Sequence, residues 1–170
     1  MAIVWRESSV VEEDLRMAPG LQFDPTEDEL IQFYLSKIVA SEPLPVKVMK
    51  EIDAQHFYQH HPKNLVDGSE NLSREYFLVH GDEYFHGKID KVKLVGEGNV
   101  GSWSSLGKEE EVVDENGNVI GFKIHSTFLS SKSKKTHWRM KLYRLPLPNN
   151  HEDSSGEEWV IARIRGAQQL

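Results

Sequence analysis

The sequence predicts an α+β domain in which helices come first and antiparallel strands follow. Three observations carry that assignment. A capped amphipathic helix starts at Thr26. After about residue 70 the apolar spacing changes from helical to strand-like. In residues 134–145, Thr136, Trp138, Met140 and Leu142 alternate with His137, Arg139, Lys141 and Tyr143, which predicts one face on a core and one basic face in solvent.

Thr26 with Glu29 three residues later forms a capping box, and Glu27, Asp28 and Glu29 suit the positive end of the helix dipole. Leu30, Ile31, Phe33, Tyr34, Leu35, Ile38 and Val39 give the apolar face, and Pro43 and Pro45 end the helix. A short helix is expected over 45–50, with Pro45 in its first turn, and another turn over 54–58 ending before Pro62. Residues 74–79 read as a strand, Gly81-Asp82 as a turn, and Tyr84-Phe85 as the start of a return strand. The glycines at 96, 98 and 101 match GxGxxG, but no helix signal follows, so a mobile loop is expected rather than a dinucleotide site. Glu115-Asn116-Gly117-Asn118 predicts a hairpin turn from Glu111-Val112-Val113 to a strand over 119–129. The next strand, 134–145, stops at Pro146 and Pro148; 149–158 is a polar loop, and 159–164 is a final strand.

The length of 170 residues fits one domain, and 38% hydrophobic with 28% charged residues is globular composition. Cysteine is absent, which removes disulfides, thiolate metal sites and cysteine nucleophiles. No apolar run reaches the ~20 residues of a membrane span, and the N-terminus lacks the basic start and apolar stretch of a secretory signal. His56, His60 and His61 are close in sequence but lack an HExxH pattern, so surface histidines are expected rather than a metal site. Ser104 and Ser105 do not lie in a GxSxG elbow. Nothing forms a catalytic constellation; no enzyme activity, cofactor or small-molecule substrate is expected. Trp103, Trp138 and Trp159 fall on strands and are expected in the core, whereas Trp5 is placed to pack on a partner.

The net charge of −7 is segregated. Residues 121–145 hold Lys123, Lys132, Lys134, Lys135, Arg139, Lys141 and Arg144 and no acid. An acid-free stretch in an acidic chain predicts a basic stripe facing an anionic partner, or else a sheet face balanced by acidic neighbours.

Ala18-Pro19-Gly20-Leu21-Gln22-Phe23-Asp24-Pro25-Thr26-Glu27-Asp28-Glu29-Leu30-Ile31 is similar to LPPGFRFHPTDEELV, the opening of the plant NAC domain. Tyr34-Leu35, Pro43-Leu44-Pro45-Val46 and Glu51-Ile52-Asp53 continue the likeness, and Glu75-Tyr76-Phe77-Leu78 resembles its WYFF strand. Gly121-Phe122-Lys123 resembles VGxKK, residues 135–145 resemble KTxWxMHEYRL, and residues 159–164 resemble WVLCRI. The likeness divides the chain into an extension (1–16), a NAC-like domain (17–166) and a short end (167–170).

The resemblance implies a nuclear plant transcription factor with a twisted antiparallel β-sheet flanked by a few helices. It implies binding to double-stranded DNA and pairing as a homodimer or as a heterodimer with other NAC proteins. The family's WKATG reading strand corresponds here to Trp103-Ser104-Ser105-Leu106-Gly107. Expected DNA contacts are Trp103, Ser104, Ser105, Leu106 and Lys108, with Lys88, Lys91, Lys93, Lys123, Lys132, Lys134, Lys135, Arg139 and Lys141 around them. Trp103 would anchor the strand from inside. Leu21, Gln22 and Glu29 are expected at the dimer contact, with Gln22 where the family has arginine. Ser104 replaces the family lysine, Leu106 its threonine, and Glu109-Glu110-Glu111 would repel phosphate. These departures leave a second expectation open: a protein-interaction or interference module with DNA binding largely lost.

Overall fold

The computed structural model describes residues 25–40, 49–67, 75–81, 92–105, 108–146 and 159–166. Helix α1 runs through an α-helical turn, Glu27–Glu29, a π-helical stretch, Leu30–Leu35, and a second α-helical turn, Ser36–Val39. Its capping box is complete. The Glu29 N–H donates to Thr26 Oγ1 at 3.2 Å, and the Thr26 N–H donates to Glu29 Oε1 at 2.9 Å. Strand β1 (Lys50–Asp53) follows, then helices α2 (Ala54–Phe57) and α3 (Pro62–Asp67). Strands β2 (Tyr76–His80), β3 (Val92–Val95), β4 (Gly101–Ser105), β5 (Glu110–Val113), β6 (Val119–Ser130), β7 (Lys135–Arg144) and β8 (Trp159–Arg165) complete the order.

All eight strands form one sheet in the order β1-β2-β8-β7-β6-β4-β3, with β5 also paired to β6. Every pair is antiparallel except β1 with β2, so the sheet is mixed. β7 occupies one side of β6; β4 and β5 follow each other along the other.

The sheet is packed on both faces. One face holds Phe77, Val79, Trp103, Ile124, Phe128, Met140, Leu142, Val160 and Ala162 against Phe57, Leu65 and Val66 of α2 and α3. The other holds Tyr76, Leu78, Tyr143 and Ile161 against Leu30, Ile31, Tyr34 and Leu35 of α1. Burying each large apolar side chain stabilises by about 1.5–3 kcal/mol. α1 approaches β6 closely because position 121 is glycine: a Cβ there would lie 2.5 Å from Ile31 Cδ1 and 2.6 Å from the Arg144 carbonyl oxygen.

Several expectations are corrected. Lys50 lies in β1, not in a helix over 45–50, the rest of which falls almost wholly outside the described residues. The turn expected over 54–58 is helix α2, which ends before Pro62 as expected; the unexpected feature is a further helix, α3, that Pro62 starts, as suits a residue with fixed φ and no N–H donor. The glycine-rich stretch, expected as a loop, is the β3–β4 hairpin connection and is tightly hydrogen-bonded. A 3₁₀ turn, Gly96–Gly98, is closed by bonds from the Asn99 N–H to the Gly96 carbonyl and from the Val100 N–H to the Val95 carbonyl. Gly96 (φ 58°) and Gly98 (φ 92°) supply its left-handed backbone. His61 is half-buried with its ring against Phe128, not a plain surface histidine. Tyr143 is buried although its face of β7 was expected in solvent, because α1 covers that end. The Tyr84-Phe85 strand, the 149–158 loop and Trp5 lie outside the described residues.

Candidate nucleic-acid interface

Cross-strand register explains where the basic residues gather. Lys123, His125 and Thr127 of β6 stand opposite Tyr143, Lys141 and Arg139 of β7. Lys141 and Arg139 stand opposite Arg163 and Arg165 of β8. All share the face that α1 covers at one end. Beyond the helix, His125, Arg139, Lys141, Arg163 and Arg165 line an open cleft of about 340 Å³. Ser104 of β4 stands opposite Thr127, so its side chain joins the same face two strands from Arg139.

The tip of the β6–β7 hairpin extends this surface. The Ser133 N–H donates to the Ser130 carbonyl and the Ser130 N–H to the Lys134 carbonyl, both at 2.8 Å, closing a tight turn. Ser130 Oγ also accepts from the Lys132 and Lys134 N–H groups at 3.3 and 3.2 Å. The turn exposes Lys132, Lys134 and Lys135 together. Arg139 is exposed, with Nη1 donating to the carbonyls of Thr136 and Trp138 at 2.7 and 3.1 Å.

Two cations of the acid-free stretch are used within the fold. Lys123 Nζ donates to Glu27 Oε1 at 2.7 Å and lies 3.8 Å from Glu110. Arg144 makes a two-pronged pair with Glu109, at 2.8 and 2.6 Å, and lies over the Phe122 ring. Burial pushes the Glu27 carboxyl up, but hydrogen bonds from Lys123 and Tyr143 and the Lys123 charge outweigh it and hold it below its ordinary value. Tyr143 donates to Glu27 Oε2 at 2.8 Å; burial, then the Glu27 charge, pushes its hydroxyl above the ordinary tyrosine range.

The family model described as No apical meristem (NAM) protein matches residues 17–145. The chain belongs to the NAC family. Similar curated proteins include NAC domain-containing protein 83 of Arabidopsis thaliana, 30% identical over 88% of this chain and 58% of its own length. Protein SOMBRERO of the same plant is 28% identical over 88% of this chain and 40% of its own. NAC domain-containing protein 67 of Oryza sativa subsp. japonica is 29% identical over 96% and 60%. The chain thus spans about 40–60% of the length of these relatives.

This NAC domain brings Lys132, Lys134, Lys135, Arg139, Lys141 and Ser104 onto or beside one open surface. Lys123 leaves the expected contact set, because its ammonium seats α1 on the sheet. Trp103 is 1% exposed and packs on Phe128, so it supports β4 from the core. Lys93 shares the Trp103 face and lies over the Tyr58 ring, away from the open cleft. Ser105 also falls on the core side of β4, while Lys108 is exposed. Leu21, Gln22, Lys88, Lys91 and Leu106 lie outside the described residues.

The expected repulsive trio, Glu109–Glu111, is reduced: Glu109 is bound to Arg144, and Glu110 lies 3.2 Å from His125. Glu29 is occupied by its capping bonds. Sequence reasoning missed His125, Arg163 and Arg165. The signal for the two arginines was their period-2 spacing on the final strand, which acquires meaning only once β8 is registered against β7.

Proposed function

We propose that this chain is the DNA-binding NAC domain of a plant transcription factor acting in the nucleus. The supporting observation is the exposed Lys132–Lys134–Lys135 tip continuing into Arg139 and Lys141 on the uncovered sheet face. Lysines and arginines on one face meet the regularly spaced phosphates of a duplex, while Ser104 on β4, two strands from Arg139, faces the same side. The pairing of Glu109 and Glu110 within the chain weakens the case for a module that has lost DNA binding. Dimerisation as a homodimer or heterodimer with other NAC chains belongs to the same proposal and is carried by family membership.

The test is a salt-dependent titration of random-sequence duplex. Lys134→Gln with Lys135→Gln should weaken binding about equally on all sequences and flatten the slope of log K against log salt by roughly 1–2. A parent protein that binds no duplex at low salt overturns the proposal and favours the protein-interaction reading.

A further inference from the structure

We infer that the cleft across β6, β7 and β8 is a phosphate-binding site in which Arg163 and Arg165 act with Lys141 and Arg139. The inference extends the DNA-binding reading to the closing strand, and for the DNA phosphate it rests on that reading.

The register is the first argument. Lys141 stands directly opposite Arg163, and Arg139 opposite Arg165. Like charges in directly opposed cross-strand positions repel. Two such pairs side by side concentrate positive charge on this part of the face. In the covered part of the same face the lysine is paired with a carboxylate, as Lys123 is with Glu27. No carboxylate lines the cleft among the described residues.

The second argument is positioning. One Glu75 carboxylate oxygen lies 3.3 Å from Arg163 Nε and 3.7 Å from Arg165 Nε, so a single acid at the margin holds two guanidiniums side by side. The Ile164 N–H donates to the Glu75 carbonyl at 2.8 Å, fixing that acid's backbone against β8. Arg163 also lies over the Tyr76 ring at 5.0 Å. Planar guanidiniums arranged this way suit phosphate oxygens, which accept paired N–H bonds. Among the described residues, Arg139, Lys141, Arg163 and Arg165 stand against two acids at the margin, Glu75 and the Glu110 beside His125, which leaves the cleft in positive excess.

The phosphate can belong to a DNA backbone or to a soluble polyanion, and two arms separate these. The first measures affinity for a random-sequence duplex by anisotropy at roughly 50 and 200 mM salt, where a lost phosphate contact lowers the slope by about 0.9. Arg165→Gln and Lys141→Gln should each weaken binding about tenfold and lower the slope by that amount. Glu75→Gln should tighten it roughly 2–5-fold. The opposite sign distinguishes a ligand role from damage to the fold, and thermal unfolding of each variant identifies any that is destabilised. The second arm titrates pyrophosphate while following the arginine side-chain NMR signals.

If Arg165→Gln and Lys141→Gln leave affinity and slope unchanged while Lys134→Gln reduces both, the cleft inference is overturned and the DNA-binding proposal stands. If the parent binds no duplex but pyrophosphate shifts the Arg163 and Arg165 signals, the cleft stands with a soluble ligand. If neither probe moves those arginines, the inference falls.

Discussion

Tyr143 and Arg139 sit four residues apart on β7 and share one face of the sheet, yet one is buried and the other exposed. The difference is helix α1. Where Leu30, Ile31, Tyr34 and Leu35 cover the sheet, the face carries Tyr76, Leu78, Tyr143 and Ile161, and its lysine has a carboxylate partner. Where the helix ends, the same alternation carries Arg139, Lys141, Arg163 and Arg165. Period-2 patterning decides which residues share a face. It does not decide how far along the strand that face is covered. The covered half is built for stability and the open half for charge, so mutations in the two should separate folding from binding.

The largest expected effect is in the covered half. Ile31 is 1% exposed and seats α1 on Gly121. Ile31→Ala should cost about 2–5 kcal/mol in denaturant unfolding, from lost burial plus the cavity left behind. The salt slope of DNA binding by the folded fraction should not move. If it moves, α1 also shapes the open half and the proposed separation breaks.

A smaller effect is expected at the end of β7. Glu109→Gln leaves the Arg144 guanidinium without its two-pronged partner in a site where both side chains are mostly buried. The loss should be about 1–3 kcal/mol, less than for a wholly buried ion pair because some solvent reaches both groups. Affinity for DNA should not improve. Glu111→Gln, at an exposed position, is the matched control and should leave the unfolding midpoint nearly unchanged. A tightening of DNA binding in Glu109→Gln alone would restore the view that this carboxylate repels phosphate.

Most strands were legible from the sequence because their signals are local. The capping box at Thr26, the Asn116-Gly117 turn and the alternation of 134–145 each depend on neighbours a few residues away. What escaped was set by distant residues. Lys123 looked like a phosphate contact because it falls in the acid-free stretch 121–145; Glu27, 96 residues earlier in the chain, claims it. Arg144 counts as part of the basic stripe until Glu109 is placed beside it. Arg163 falls in the strand expected over 159–164 and Arg165 just beyond it; only the β7–β8 register adds them to the cleft. The parallel β1–β2 pair and the β3–β4 hairpin escaped for a different reason. In each, one partner was unmarked: β1 and β3 are four residues long, too short for periodicity to mark.

The smallest effect is a matter of pH, and it tests whether the covered half is held by its ion pair or by burial alone. Glu27 accepts from Lys123 and Tyr143, and its carboxyl titrates below the ordinary value of 4.5. An acid whose folded pKa is depressed contributes its full stabilisation above the unfolded pKa, and loses it as pH falls through the folded one. Stability of the parent protein should therefore hold from neutrality to about pH 4.5 on this account and then decline. Glu27→Gln should lower stability near pH 7 by about 1 kcal/mol, a figure discounted for the partial exposure of the carboxylate. Below pH 4.5 the variant's curve should fall less steeply and approach that of the parent, because the group that protonates is gone. His61 contributes as well: burial, then the Lys63 charge, lowers its pKa below 6.5, so its contribution fades as pH drops below 6.5 in both proteins alike. Urea unfolding at half-unit steps from pH 7 to pH 3 resolves the two. Parallel curves for parent and variant across the whole range would mean that apolar burial under α1 holds the covered half, and that the Glu27–Lys123 pair serves only to keep that lysine's charge off the open face.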